Sequence, residues 1–253
     1  MATLEYTTNL FQGVVVKPDT LPLDLDEFQK RLVISLEIWR KERLQLVWLE
    51  VPIERSELIP IAVRENFIFH HSSNDYLMLT RPLTSGAVVP NYATHYIGAG
   101  GVVLNEQNEL LVVSERHRGS KDPSYKLPGG ALHPGEHLEE CVIREVREET
   151  GVHTEFQALV CFRHWHGYRF GKSDIYFVCR LRPLNHELAM QHEEIEECLW
   201  MPVSDYLSSP YVHTFNRRIV RAALNSSGVV PISIDGYSNL KTHEIFMPPT
   251  ESP

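Results

Sequence analysis

Between residues 1 and 90, runs of apolar residues alternate with one stretch in which apolar residues recur at helical spacing. The recurrence from Leu25 to Trp39 predicts a helix over about residues 24–43, with Asp24 as its N-cap. A second helix is predicted over about residues 56–66, with Pro60 in its first turn. Short apolar runs predict strands at 13–16, 46–51, 67–71 and 76–79. We therefore expect a small α/β domain over residues 1–90.

The pattern changes after the polar stretch Arg81 to Pro90, which predicts a linker. A glycine-containing strand is expected at 95–104, and a strand at 110–114 is expected to be its hairpin partner. Paired strands over 156–166 and 173–181 suit a mixed sheet, and closing helices are predicted at 206–207 and 214–224. We expect a second α/β domain over residues 91–225, followed by an extended tail over 226–253.

One predicted helix, between these strands, carries its acidic residues on one side. Glu145, Glu148 and Glu149 fall within a sector of roughly 100° of a helix. Leu138, Val142 and Val146 form an apolar stripe beside them. Neighbouring like charges repel, so this arrangement favours a hard, oxygen-seeking cation such as Mg²⁺ or Mn²⁺ over simple solvation.

The residues before the helix fit the same chemistry. Gly129 and Gly130 allow backbone to approach a ligand closely, and the Gly129 carbonyl is a candidate metal ligand. Glu136 is expected either to bind metal or to accept bonds from backbone N–H groups. Arg144, one turn before Glu148, is expected to orient a carboxylate for catalysis.

Composition limits the classes of function. The chain has 253 residues and a net charge of −9, which disfavours nucleic acid and anionic membranes as partners. An anionic substrate must then be met by metal and local basic groups. Four cysteines without a C-x-x-C spacing predict reduced thiols. We find neither a run long enough to span a membrane nor the blocks of a signal peptide, so the expected location is cytoplasmic, with an organelle left open.

Three further groups of residues are candidates for the site. Arg116 and Arg118 lie in a basic loop that either contacts a phosphate or is merely solvated. Trp165 and Tyr168 lie at a predicted hairpin tip and either stack on a base or form an edge-strand cluster. Glu194 belongs to the acidic run Glu193 to Glu197, which either supplies a general base or is a solvated charge run.

The spacing G-x5-E-x7-R-E-U-x-E-E-x-G-U, with U apolar, is complete from Gly130 to Val152. It resembles the signature of the Nudix hydrolases, which cleave nucleoside diphosphates linked to another group. The resemblance covers about residues 93–225 and implies an α/β/α sandwich with a mixed sheet. It also implies that Glu145, Glu148 and Glu149 bind one to three divalent cations. Whether the base is a helix glutamate such as Glu145 or a distant loop glutamate such as Glu194 stays open.

The N-terminal 85 residues resemble the leader domain of a Nudix subgroup. That subgroup includes the vertebrate protein encoded antisense to a fibroblast growth factor and plant enzymes acting on ADP-ribose and NADH. The runs Val47 to Ile53 and Phe162 to Leu181 carry this resemblance. Related enzymes are often dimers, so a homodimer is a further expectation.

The sequence motifs define the reaction more specifically than they define the substrate. Tyr168 stands where a proline often accompanies ADP-ribose use, and a tyrosine near this point is associated with hydrolases of dinucleoside polyphosphates. We expect metal-dependent hydrolysis of ADP-ribose or NADH with release of AMP. The alternatives are dinucleoside polyphosphates or coenzyme A as substrates, or a low-turnover regulatory protein that binds a nucleotide.

Overall fold

The computed structural model describes residues 2–117, 122–237, 239 and 241–249. The chain divides into two compact units, unit 1 over residues 1–93 and unit 2 over residues 94–253. From residue 2 onward, unit 1 contains five strands and two α-helices: β1 (Tyr6–Thr8), β2 (Gly13–Val16), α1 (Leu25–Lys41), β3 (Leu46–Pro52), α2 (Ile59–Arg64), β4 (Ile68–Ser72) and β5 (Tyr76–Pro82).

Unit 1 is one five-stranded sheet with the order β1-β2-β3-β5-β4. Strands β2 and β3 are parallel because α1 crosses between them, and the other pairs are antiparallel. The apolar side of α1, including Phe28 and Trp39, is fully buried with Val47 and Leu49 of β3. Burial of this stripe holds the helix to the sheet.

The predicted linker is wrong at its start, since β5 continues through Arg81 and Pro82. Arg81 is buried, lies 3.5 Å from a Glu65 carboxylate oxygen and stacks over the Phe67 ring at 5.9 Å. These contacts place the arginine inside unit 1, although its charge made it look like a linker residue.

Unit 2 contains nine strands and three α-helices in its described part. In chain order they are β6 (His95–Val103), β7 (Glu109–Glu115), β8 (Tyr125–Lys126), β9 (Gly129–Ala131), α3 (Leu138–Thr150), β10 (Thr154–Trp165), β11 (Ser173–Pro183), β12 (Ile195–Pro202), α4 (Val203–Ser208), α5 (Thr214–Asn225), β13 (Val230–Ile232) and β14 (Ile245–Met247).

The main sheet of unit 2 has the order β10-β11-β6-β9, with β11 and β6 parallel and the other pairs antiparallel. A second sheet has the order β12-β7-β8. Alternate residues of β6 and β7 pack on opposite sides, since Val103 and Leu111 lie with α3 whereas Val102 and Leu110 lie with α4 and α5. The predicted α/β class with a mixed sheet is therefore confirmed.

The predicted hairpin of β6 and β7 forms only next to its turn. Leu104, directly after β6, makes an antiparallel bridge with Leu110 of β7, and the Asn105 N–H donates to the Glu109 carbonyl at 3.1 Å. Strand β6 pairs instead with β11 on one side and with β9 on the other. Its glycines allow the close approach of β9, so both edges of β6 are already taken.

The segment predicted as an extended tail contains the paired strands β13 and β14. Val229 exchanges two backbone hydrogen bonds of 2.9 Å with Leu159 of β10. Further along, the Glu244 carboxylate accepts bonds from the backbone N–H groups of Leu138 and Glu139, at 2.7 and 3.0 Å. The tail thus completes the N-terminus of α3.

Candidate active site

Helix α3 is held by its apolar side. Leu138, Cys141, Val142 and Val146 are buried against the main sheet. The helix ends at Gly151, whose φ of 74° is the left-handed conformation that glycine adopts readily. The acidic residues of the helix are thereby fixed beside the loop that precedes it.

That loop lies so close to strand β6 and to the Glu145 side chain of α3 that a side chain at either glycine would force a neighbour to shift. Gly129 has φ +152°, and a Cβ built there would lie 2.2 Å from the Ala99 carbonyl oxygen. A Cβ on Gly130 would lie 2.5 Å from Oε2 of Glu145. The glycine backbone therefore packs directly against the helix carboxylate.

Glu149 is a buried carboxylate on this helix, with 6% of its surface exposed. Its Oε2 accepts a 2.9 Å hydrogen bond from the Gly129 N–H. Burial raises the pKa of Glu149 to about 7, and Glu145 and Glu115 add to the rise while Lys126 and the Gly129 N–H oppose it. Burial of a carboxylate at the expense of its charged form indicates a role other than stability.

Arg144 gathers the other carboxylates. Its guanidinium donates to Glu136 at 2.7 and 3.0 Å, to Glu145 at 2.8 Å and to Glu148 at 3.0 Å. The bonds from Arg144 lower the pKa of Glu136 to about 2. The sequence analysis paired Arg144 with one glutamate, whereas in the structure Arg144 contacts three glutamates.

Metal ligands are not yet assembled in this arrangement. Across the described part of the chain, no three His, Cys, Asp or Glu side chains are positioned to hold a metal ion. Arg144 engages Glu136, Glu145 and Glu148, and Glu149 turns toward Gly129. The donor set is nonetheless made of oxygen atoms alone, which is the set a hard divalent cation prefers. The residues therefore fit such an ion in chemistry.

A cavity of about 440 Å³ opens beside the glycine loop. Its lining combines loop glycines, cationic side chains and aromatic rings, namely Gly129, Gly130, Lys126, Arg163, Arg169, Tyr96, Tyr168, Phe170, Tyr176 and Phe215 with their neighbours. Cations beside glycine backbone suit phosphate groups, and rings suit a base. A second cavity of about 820 Å³ lies between α3 and the tail and includes Glu148.

Arg163 is held inside the smaller cavity by several contacts. It forms an ion pair with the buried Asp174. Its guanidinium carbon lies 5.3 Å from the Trp165 ring centre, 5.5 Å from that of Tyr176 and 5.8 Å from that of Phe215. Sequence reasoning missed Arg163 and Asp174, although each lies on a strand that it had predicted.

The predicted substrate-binding residues are only partly brought together. Tyr168 lines the cavity, and Trp165 lies behind it with ring centres 5.2 Å apart. Arg116 is exposed just after β7 and is absent from the cavity lining that the described residues form. Arg118 lies outside the described residues.

Glu194 precedes β12 and has an exposed side chain. Its backbone carbonyl accepts a 2.8 Å hydrogen bond from the Arg116 N–H, which ties the acidic run to the end of β7. Glu196 and Glu197 lie within β12, where a loop was expected, and Tyr125 donates to Glu197 at 2.9 Å. Within the part of the chain that the structure describes, no hydrogen bond or ion pair joins the Glu194 side chain to α3.

Comparisons with known proteins identify the family of both units. A family model described as the Nudix hydrolase domain matches residues 4–83, and one described as the NUDIX domain matches residues 94–223. Nudix hydrolase 8 of Arabidopsis thaliana is 40% identical over 80% of this chain and 56% of its own length. Nudix hydrolase 2 of the same plant is 39% identical over 80% and 74%.

A human relative, nucleoside diphosphate-linked moiety X motif 6, is 36% identical over 80% of this chain and 65% of its own length. The chain thus spans little more than half the length of Nudix hydrolase 8, the first plant relative. A solved NUDIX hydrolase from Nitrosomonas europaea matches with a TM-score of 0.44 and 20% identity, over 51% of this chain and 88% of that one.

These matches define a class of enzymes, the pyrophosphohydrolases of nucleoside diphosphate derivatives. More narrowly, the chain belongs to the Nudix hydrolase family. The predicted family and its N-terminal leader domain are confirmed. Enzymes of this family generally need divalent metal ions and bind small nucleotides. Within the described residues, no helix is both long and apolar enough to cross a membrane.

Proposed function

We propose that this chain hydrolyses the pyrophosphate bond of ADP-ribose and NADH and releases AMP. The observation that carries the proposal is the buried Glu149, held by the Gly129 N–H beside a cavity that contains Lys126. A carboxylate helix, a glycine loop and a cationic cavity together meet the needs of a diphosphate.

The metal is Mg²⁺ or Mn²⁺ in this proposal. Glu145, Glu148 and Glu149 would hold it, with Glu136 and the Gly129 carbonyl as further donors. When bound, such an ion neutralises phosphate charge and lowers the pKa of the attacking water.

The protein residues then divide the remaining work. Lys126 and Arg169 line the cavity and attract the phosphates, and the bare backbone of the glycine loop lets a phosphate approach α3. Tyr168 and Phe170, in the same cavity, stack on the base. Arg144 holds Glu148 in place through its 3.0 Å bond.

The general base is Glu145 or Glu194. Glu145 lies against Gly130, beside the cavity, and its bond to Arg144 orients it. Glu194 is exposed, and within the described residues no hydrogen bond or ion pair links its side chain to α3. The geometry therefore favours Glu145 for taking the proton from water.

We further propose a cytoplasmic homodimer with a small-molecule nucleotide as its ligand and with neither nucleic acid nor membrane as a partner. The proposed organisation is a leader domain over residues 1–90, a catalytic domain over 91–225 and a tail over 226–253. The leader domain would serve dimerisation.

The test is hydrolysis of ADP-ribose, NADH, a dinucleoside polyphosphate and coenzyme A, each with Mg²⁺ and with Mn²⁺. The product measured is AMP or, for coenzyme A, adenosine 3′,5′-bisphosphate. We expect the highest kcat/KM for ADP-ribose or NADH, and a loss of about a hundredfold or more in Glu145→Gln. Glu37→Gln, an exposed glutamate of α1, is the matched control and should leave the rate unchanged. Absence of turnover with every substrate, or full activity in Glu145→Gln, refutes the proposal.

A second candidate function is nucleotide binding with little turnover. The observation that favours it is Arg144, which engages three of the carboxylates that a metal would need. A rise in thermal stability with ADP-ribose, but no AMP release with either metal, would support this candidate over hydrolysis.

A further inference from the structure

Strands β10 and β11 are joined by an exposed ion pair and by a buried one. Arg182 and Glu155 form the exposed pair, and both side chains are more than half exposed. Arg163 and Asp174 form the buried pair, in which the aspartate side chain is 8% exposed. A buried carboxylate loses hydration that its partner only partly replaces, so such a pair adds little net stability. The placement of Asp174 therefore indicates a role other than holding the strands together.

The buried pair offers a donor and an acceptor to the cavity. Both residues belong to the cavity lining. Arg163 bonds Asp174 through Nη2 and Oδ2, and among the residues that the structure describes neither Nη1 nor Oδ1 has a further hydrogen-bond partner. The rings of Trp165, Tyr176 and Phe215 surround the guanidinium and fix its position. An N–H donor and a carboxylate oxygen are thus held side by side for a ligand.

The pair lies between the glycine loop and the aromatic end of the cavity. Tyr176 links it to the loop, since the Tyr176 ring centre is 5.5 Å from the Arg163 guanidinium carbon and a Cβ on Gly129 would lie 2.7 Å from the Tyr176 hydroxyl oxygen. Trp165 links it to the other end, because its ring centre is 5.3 Å from the same carbon and 5.2 Å from that of Tyr168. A nucleotide with its phosphates at the loop and its base on Tyr168 places its ribose at the pair.

We propose that Arg163 and Asp174 bind the vicinal 2′- and 3′-hydroxyls of the adenosine ribose. Each hydroxyl both donates and accepts, so the diol matches a carboxylate beside a guanidinium. Polar groups in a cavity also reject an analogue that leaves them unpaired. The inference rests on the proposed function, because it takes the positions of phosphates and base from there. It makes the chain selective for ribonucleotides over deoxyribonucleotides.

The test compares kcat/KM for ADP-ribose and for the analogue that lacks the adenosine 2′-hydroxyl. We expect the wild type to prefer ADP-ribose by about tenfold or more, mainly through KM. Asp174→Asn should reduce this preference to about threefold or less, because a neutral amide accepts a weaker bond than a carboxylate. The double variant Arg163→Met/Asp174→Leu removes both partners and should show a preference of about one. Apolar replacement of both ions is expected to preserve the fold, which thermal unfolding checks.

Glu155→Gln is the matched control, because it removes a carboxylate from the exposed pair on the same two strands. Its preference for ADP-ribose should equal that of the wild type. A purely structural role of the buried pair predicts a different result in Asp174→Asn and the double variant. They would then lose kcat/KM for both substrates by the same factor and keep the wild-type preference, which overturns the inference.

Calorimetric binding of the two nucleotides in EDTA gives a readout that does not require turnover. An inactive wild type that binds ADP-ribose more tightly than the analogue, with this preference lost in the double variant, refutes only the hydrolysis. An active wild type with equal kcat/KM for both substrates, or a double variant that keeps the preference, overturns the inference alone. Absence of both turnover and binding overturns the two together.

Discussion

Helices α1 and α3 are built from similar patterns and serve different ends. In α1 the apolar stripe is buried, the charges point outward, and the cap at Asp24 bonds Glu27 three residues away. In α3 the apolar stripe is equally buried, yet Glu149 is buried as well. This helix has a local capping box between His137 and Glu140, and its first turn is also capped by Glu244 from 105 and 106 residues away. The first helix is optimised locally for stability. The second keeps costly polar groups in place by distant contacts, which is the pattern expected of a functional site.

The largest expected effect concerns packing in α1. Phe28→Ala removes a fully buried ring and should lower the free energy of unfolding of unit 1 by about 3–5 kcal/mol. Urea unfolding followed by tryptophan fluorescence measures this, because Trp39 and Trp48 report on unit 1. The value of kcat/KM per folded molecule should stay within about twofold. A fall in kcat/KM whose free-energy equivalent matches the loss of stability would show that the two helices do not differ in function.

The second prediction reverses these outcomes in α3. Glu149→Gln keeps an acceptor for the Gly129 N–H and removes a buried charge, so kcat/KM should fall by about a hundredfold or more while stability does not fall. Because burial raises the folded pKa of Glu149 to about 7, wild-type stability declines as pH rises from about 4.5 to 7. Unfolding in EDTA at pH 5 and pH 8 measures this.

The variant lacks this titration, and its advantage over the wild type should be greater at pH 8. Glu37→Gln, on the exposed side of α1, should change neither the rate nor the pH dependence. A Glu149→Gln protein that is less stable than the wild type at pH 8 would mean that the carboxylate is structural.

The third prediction compares two arginines. Arg144→Ala leaves Glu136, Glu145 and Glu148 without their shared partner, and kcat/KM should fall by about tenfold to a hundredfold. A metal titration should show weaker binding in the same variant. Arg31→Ala, which removes an i,i+4 pair with Glu27 in α1, should cost at most about 0.5 kcal/mol and leave the rate unchanged. Equal effects of the two changes would contradict a special role for Arg144.

The smallest effects concern the caps. Asp24→Ala should lower the stability of unit 1 by about 1 kcal/mol without altering kinetics. Glu244→Ala removes two bonds from the first turn of α3 and should cost a similar amount, measured by chemical denaturation of unit 2. The KM for the activating metal should rise only in Glu244→Ala. Unchanged metal dependence would show that the tail merely stabilises the fold.

Local patterns made much of this structure predictable. The spacing from Leu25 to Trp39 predicted α1 together with its cap, and the acidic signature predicted α3 and its position after a glycine turn. Both helix predictions depend on residues that lie within a few helical turns of one another. The mixed sheet followed from the alternation along β10 and β11.

Pairing between strands or side chains that are distant in the sequence could not be predicted. The choice of β9 rather than β7 as the neighbour of β6 depends on glycines that are far apart in sequence. The pairing of Arg163 with Asp174 depends on the register between β10 and β11. No local signal connects Glu244 to Leu138, since a carboxylate in a tail looks like any solvated charge.

The bonds from Glu244 also bear on how the enzyme is made. A ribosome delivers the chain from its N-terminus, so the carboxylate helix is synthesised long before the residue that finishes its first turn. Until Glu244 emerges, two N–H groups at the head of that helix must rely on water. The first turn of this helix is therefore expected to gain its last two protein hydrogen bonds only after Glu244 has left the ribosome.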